Sequence, residues 1–231
     1  MNLYQEEFQQ NIDLFKELSF SELKLRIFSN FKVNENRFRK YLEDLQYLID
    51  NNKLESVKIV ASLECWDEQQ EYIRTGLNLT QWENNMMTLL KEFPSIGIHI
   101  HGTLASLAIP TAHKLIRKVN EYKQIRYDLG VRKDIPPVFQ TYNILVSPKF
   151  MAPSIFPTNY FDKQIEKMYN EFVLCRDHYR AKQILSYRDE FNSKPEDRKL
   201  IKSLINYLQK LDIRRNTNYL DKFPWLEEFY D

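Results

Sequence analysis

A chain of 231 residues with 43% hydrophobic and 28% charged residues can bury one large core or two small ones, and it is too apolar to be a disordered polymer. Lys and Arg number 33 against 32 Asp and Glu, and the resulting net charge of +1 is interspersed along helices, so there is no electrostatic footprint for nucleic acid. No long apolar span or signal-peptide pattern occurs, and Cys65 and Cys175 lack the spacing of metal ligands; the expectation is a cytoplasmic protein with reduced thiols, no membrane contact and no metal site of its own.

Residues 4–18 place Phe8, Ile12, Phe15 and Leu18 at helical spacing, which predicts an amphipathic helix. Leu23 to Asn30 alternates as a strand. Asn34 to Asp50 carries Phe38, Tyr41, Leu42, Leu45 and Leu48 on one helical face. A second strand, Val57–Glu64, sets Val57, Ile59, Ala61 and Leu63 on one face and Lys58, Val60, Ser62 and Glu64 on the other. It leaves through a polar turn, Trp66–Gln70. Thr80 and Glu83 form a capping box that predicts a helix through Trp82, Met86, Leu89, Leu90 and Phe93. The third strand, Ser95–Thr103, opposes Ile96, Ile98 and Ile100 to Gly97, His99, His101 and Thr103, and Pro110 opens a helix over Thr111–Tyr127. Val138–Val146 is a fourth strand followed by a Pro-punctuated loop.

From Tyr160 the pattern is helical only: Tyr160–Leu174, Asp177–Phe191, and a helix begun by a Ser193/Glu196 capping box and ending near Ile213. Phe223 to Leu226 reads as an apolar tail docked on the body. Alternating helices and strands indicate βαβ units and a parallel sheet. The inner face of that sheet carries Arg26, Asn30, Ser62, Glu64, His99 and His101, and polar groups in that number suit a ligand cavity better than a dry core, because each unpaired buried polar group costs roughly 1–3 kcal/mol. The expected fold is therefore α/β: a partial, incomplete parallel (β/α) barrel of about four strands over residues 1–158, with a C-terminal helical extension, residues 159–231, packed on it. Leu23–Asn30 would be an exposed parallel edge.

The segment SLECWDEQQEYIRTGLNLTQWENN resembles the fourth-strand region of radical S-adenosylmethionine (radical SAM) proteins, in particular the twitch domain-containing group often carried by bacteriophages. There a Ser-Leu-Asp-Cys-Trp-Gly type strand end precedes a Glu-Tyr-(Val/Ile)-Arg segment and a Trp-Glu-x-Asn helix. IFSNF resembles the Thr-Asn-(Gly/Leu) end of the family's third strand, NILVSPKFMAPSIFP its sixth-strand exit, and LDIRRNTNYLDKFPWLEEF its closing segment. The similarity runs over nearly the whole chain.

The resemblance implies that Ser62 and Arg74 hold the methionyl carboxylate of S-adenosylmethionine, that Glu64 faces its ribose or amino group, and that Asn30 lies near the cofactor. A hydroxyl and a guanidinium fork are suited to a carboxylate. The family's Cys-x3-Cys-x2-Cys and Gly-Gly-Glu-Pro motifs do not occur. The expectation is thus the C-terminal portion of a radical SAM protein, either half of a split enzyme or an inactive remnant, with weak affinity for S-adenosylmethionine. A [4Fe–4S] cluster would be present only if another chain supplied it, and the chain is not expected to be active in isolation.

Other readings stand beside this one. Ser62 could cap a turn while Arg74 pairs with Glu68 or Glu71. In the split enzyme a complementary N-terminal radical SAM chain would pair with the exposed sheet edge; alternatively that edge and the aromatic helices could serve a non-catalytic interaction module, binding a partner or a second copy. His99 and His101 could open the site of a metal-dependent barrel hydrolase given a third His and a carboxylate, or form a hydrogen-bonded pair. No catalytic residue is assigned.

Overall fold

A computed structural model describes residues 6–18, 20–130 and 138–230. Residues 4 and 5, where the first helix is expected to begin, lie outside the described residues.

Four strands form one sheet in the order β1-β2-β3-β4, with β1 (Phe20–Ser29) parallel to β2 (Leu54–Ser62) and β2 parallel to β3 (Gly97–Leu104). β4 is Val138–Ile144. Each crossover is helical, as parallel neighbours require: α2 (Glu35–Asp50) joins β1 to β2, α3 (Glu68–Ile73) and α4 (Leu79–Glu92) join β2 to β3, and α5 (Ile109–Asp128) joins β3 to β4. α1 (Glu6–Glu17) precedes the sheet. After β4 come two 3-10 turns, Lys149–Met151 and Pro153–Ile155, then α6 (Asp162–Leu174), α7 (His178–Asn192) and α8 (Arg198–Arg215), and finally 3-10 turns at Tyr219–Asp221 and Pro224–Phe229. The chain is α/β with a four-stranded sheet and a helical C-terminal third.

β4 starts where alternation predicts, whereas β1 and β2 each start three residues earlier and β3 two residues later. β1 starts at Phe20, ahead of the predicted Leu23, because its pairing is irregular: Phe20 aligns with Leu54 but Lys24 aligns with Ser56. A bulge of this kind breaks the period of two, so the first residues do not read as a strand. β1 also stands at the sheet edge, and Phe20 to Lys24 are all exposed.

Two caps differ from the sequence pattern. Asn78, not Thr80, caps α4, its Oδ1 accepting from Gln81 N at 2.8 Å, while Glu83 is drawn into an ion pair with Lys118. Asp197, not Ser193, caps α8 through Leu200 N at 3.0 Å; Ser193 instead ends α7, donating to the Glu190 carbonyl at 2.7 Å, and Glu196 pairs with Arg198. In both helices the cap is the residue just before the first helical one: Thr80 already lies inside α4, and Ser193 lies four residues short of Asp197. Where a polar turn is expected, residues Glu68–Ile73 form the short helix α3.

By density of internal contacts the chain divides into two compact units. The first comprises residues 1–63, 76–101 and 118–141. Its core is the face of β2 bearing Val57, Ile59, Ala61 and Leu63, all fully buried or nearly so, with Phe38, Leu42 and Leu45 of α2 and Ile27 of β1. A buried Val or Ile contributes about 1.5–3 kcal/mol, which fixes the register of β2. Phe31 packs on Phe38 and Trp82 with ring centroids 4.9 and 5.3 Å apart. Arg126 closes the turn before β3, its guanidinium donating to the carbonyls of Leu89, Pro94 and Ile96.

The second unit comprises residues 64–75, 102–117 and 142–231. Phe156 lies at its centre, with Phe161, Trp225 and Phe229 around it at centroid distances of 5.2–5.3 Å. The C-terminal residues Phe223, Leu226 and Phe229 are buried in this unit, as the apolar tail predicts. Among the described residues no helix is long and apolar enough to cross a membrane.

Candidate functional site

In the first unit the C-terminal ends of three strands line up. Ser29 pairs with Ala61 and Ser62 pairs with His101, so Asn30, Ser62 and His101 follow one another along the same edge. In parallel sheets this is the edge at which loops gather ligand-binding groups. Asn30 Oδ1 accepts from Lys32 N at 3.1 Å and Ser29 Oγ accepts from Phe31 N at 3.1 Å, so both side chains shape the exit from β1. After them the chain turns through Phe31, whose φ is 56°, a left-handed value that costs a bulky residue free energy. Asn85, fully buried on α4, holds that turn: its Nδ2 donates to the carbonyls of Phe31 at 3.1 Å and Val33 at 2.8 Å. Ser62 is half-buried at the end of β2.

His99 and His101 meet on a residue that the sequence pattern does not single out. Thr141 Oγ1 lies 2.7 Å from His99 Nε2 and 2.9 Å from His101 Nδ1, and the two rings are 5.8 Å apart, nearly perpendicular. The two histidines therefore share one hydroxyl. Among the described residues no group of three or more His, Cys, Asp or Glu side chains is placed to hold a metal ion.

In the second unit Glu64 and Arg74 form a two-pronged ion pair. Arg74 Nε donates to Glu64 Oε2 at 2.7 Å and Arg74 Nη2 donates to Oε1. The partner is thus Glu64 rather than Glu68 or Glu71; Glu68 is engaged by Lys222. Hydrogen bonding to Glu64 is the chief reason that the Arg74 guanidinium is held even more firmly protonated than usual. The Glu64 side chain is 10% exposed and that of Arg74 31%.

Gln70, fully buried on α3, organises this pair. Its Nε2 donates to Glu64 Oε2 at 2.8 Å, while its Oε1 accepts from Glu64 N at 3.1 Å, Cys65 N at 2.9 Å and Cys65 Sγ at 3.3 Å. One carboxamide thereby satisfies backbone donors that a strand exit leaves unpaired. The Cys65 thiol has no exposure, and burial pushes its pKa up to about 12, so it is not a nucleophile. Asp67, the residue before α3, has φ 75° and ψ −169°, a region in which glycine is at home and other residues are strained. An ion pair to Lys114 helps to hold it there. Beside Glu64 lies a small cavity of about 70 Å³, its walls including Tyr72, Leu107, Ala108, Met151 and Tyr207.

The structure thus joins Glu64 to Arg74 in one unit and aligns Asn30 with Ser62 in the other. Gln70 and Thr141 escape sequence reasoning because each acts through partners that no local spacing reveals; Asn85 closes the Trp-Glu-x-Asn pattern, but its hold on Phe31 and Val33 is likewise invisible in the spacing. No protein-family model matches the chain, and no curated protein and no solved structure matches it.

Proposed function

We propose that this chain supplies the later strands of a partial (β/α) barrel of the radical SAM type and part of an S-adenosylmethionine site, the [4Fe–4S] cluster coming from residues outside this sequence. The chain is then one half of a split enzyme or an inactive remnant. One observation carries the proposal: Asp67 stands where the resembling pattern ends in Trp-Gly, and its backbone is held at φ 75° and ψ −169°, a conformation suited to glycine. Phe31 repeats the correspondence, since it stands where that pattern takes Gly or Leu and its φ is 56°. The backbone keeps a shape that glycine favours where the side chain no longer does.

The proposed cofactor residues are Asn30, Ser62, Glu64 and Arg74. Because Glu64 occupies both prongs of Arg74, a bound carboxylate has to share the guanidinium with it, which accounts for weak binding in the isolated chain. When bound with a cluster, S-adenosylmethionine supplies a radical; the residues named here bind and orient it. The exposed edge of β1 provides the place where further strands would pair.

Calorimetric titration with S-adenosylmethionine tests this proposal. Weak saturable binding that falls at least fivefold in Ser62→Ala, with the chain purified free of iron, is the expected result. Absence of binding to the chain at millimolar cofactor, or stoichiometric iron in the purified chain, overturns it. A second reading, an interaction module working through the same exposed edge of β1, is favoured instead if the cofactor does not bind and the chain self-associates.

A further inference from the structure

The open face of the sheet in the first unit carries a second group of side chains, none of them among the proposed cofactor residues. Arg26 aligns with Lys58, Lys58 with Gly97, and Val60 with His99. Residues aligned across parallel strands point to the same side, so Arg26, Phe28, Lys58, Val60 and His99 share one face. Thr141 joins it through its bonds to His99 and His101. Lys58 Nζ lies 5.4 Å from the centroid of the Phe139 ring on β4, and the residue of β3 aligned with Lys58 is Gly97, whose missing side chain leaves the lane open.

This face is cationic, and its accessible groups surround Val60, which is itself only 2% exposed. Arg26 is exposed, Phe28 is 53% exposed, and Lys58, His99 and Thr141 are half-buried. No Asp or Glu occurs in segments 24–30, 56–62, 97–103 or 139–143. Lys24 is neutralised by Glu55, whereas Arg26 and Lys58 have no carboxylate partner among the described residues. A threonine hydroxyl has one proton and can donate to only one imidazole, so at least one of the two histidines points an N–H at Thr141. Donors therefore predominate on this face, and the aromatic and aliphatic groups between them are Phe28, Val60 and Phe139.

We propose that this face binds a small organic anion with a flat apolar body, its carboxylate or phosphate held by Arg26 and Lys58 and its body lying against Phe28 toward His99. Neighbouring strands are about 4.8 Å apart and two residues advance about 6.6 Å, so Lys58 and His99 are separated by roughly 8 Å, the length of one ring with its charged substituent. The residues are distinct from Asn30, Ser62, Glu64 and Arg74, so the proposal stands whether or not S-adenosylmethionine binds.

The test is a titration of the full chain with phenyl phosphate, benzoate and inorganic phosphate, followed by the ring resonances of its four histidines. Saturable shifts confined to His99 and His101 with either aryl anion uphold the proposal, and which of the two binds tighter identifies the charged group. Inorganic phosphate is expected to bind at least tenfold more weakly. Lys58→Met and Arg26→Met each weaken the aryl anion at least tenfold, whereas Lys182→Met leaves it unchanged; Lys58→Gln replaces the methionine variant if that fails to fold. Shifts that do not saturate, that appear equally at His113 and His178, or that persist in both variants overturn the proposal, as does inorganic phosphate binding as tightly as phenyl phosphate.

Discussion

Arg74 grips both carboxylate oxygens of Glu64, ten positions before it in sequence, and Gln70 also donates to one of them, Oε2. Removing one member of such a pair leaves the other charge poorly solvated. Arg74→Met is expected to cost about 2–3 kcal/mol, less than a fully buried pair because the guanidinium is 31% exposed. Adding Glu64→Gln should restore at least half of that loss, since a carboxamide needs no counter-charge. Urea denaturation of the two single variants and the double variant gives the coupling; additive losses would show that the pair does not hold the strand exit.

Asp67 offers the opposite change, a gain. Replacing it by Gly relieves a backbone at φ 75° and ψ −169°, a strain of about 1–3 kcal/mol, against roughly 0.5–1 kcal/mol for glycine's extra freedom when unfolded and at most about 1 kcal/mol for the exposed pair with Lys114. A net stabilisation of about 1 kcal/mol follows for Asp67→Gly. Asp67→Ala keeps the strain and loses the pair, so its melting temperature should fall. Equal melting temperatures for the two variants would remove the strain from consideration.

These two sites show what the sequence makes legible and what it does not. Strand positions are readable because Val57, Ile59 and Ala61 repeat every second residue and that period is enforced by burial of the whole face. Caps are less readable, because Thr80 with Glu83 satisfies the same pattern as a true capping box, while the helix starts one residue before Thr80 and leaves Asn78 at the capping position. Partners of charged residues are least readable. Glu68 and Glu71 lie closer to Arg74 in sequence than Glu64 does, yet formation of α3 brings Arg74 back to the strand exit. Thr141 belongs to the same class: nothing around it in sequence announces that it joins His99 to His101.

The two cysteines should differ sharply in reactivity. Cys65 is fully buried, bonded to Gln70 Oε1, and pushed up to about 12 by desolvation, whereas Cys175 is half-buried at the end of α6. A disulfide-exchange reagent at pH 8 is expected to titrate one thiol per folded chain and two in denaturant. Substituting Cys175 by Ser should abolish the fast reaction; a fast reaction that survives this change would mean that the strand exit around Gln70 opens readily.

Tyr122 on α5 is nearly buried, its hydroxyl has no hydrogen-bond partner among the described residues, and burial raises its pKa well above the ordinary tyrosine value of 10.0. Tyr72, Tyr160 and Tyr219 are raised as well, by burial first and then by hydrogen bonds to Asp212, Glu228 and Tyr230. The folded chain therefore keeps phenolic protons that the unfolded chain releases from about pH 10 upward, so the contribution of these residues is complete below pH 10 and is lost as pH rises beyond it. Tyr122→Phe removes an unpaired polar atom without changing shape. It is expected to stabilise the fold by about 1 kcal/mol at pH 7 and to make the fall in stability between pH 9 and 11 shallower. Thermal melts of both proteins across that range measure the two effects together, and a variant that loses stability at neutral pH would show that the hydroxyl is hydrogen-bonded in solution.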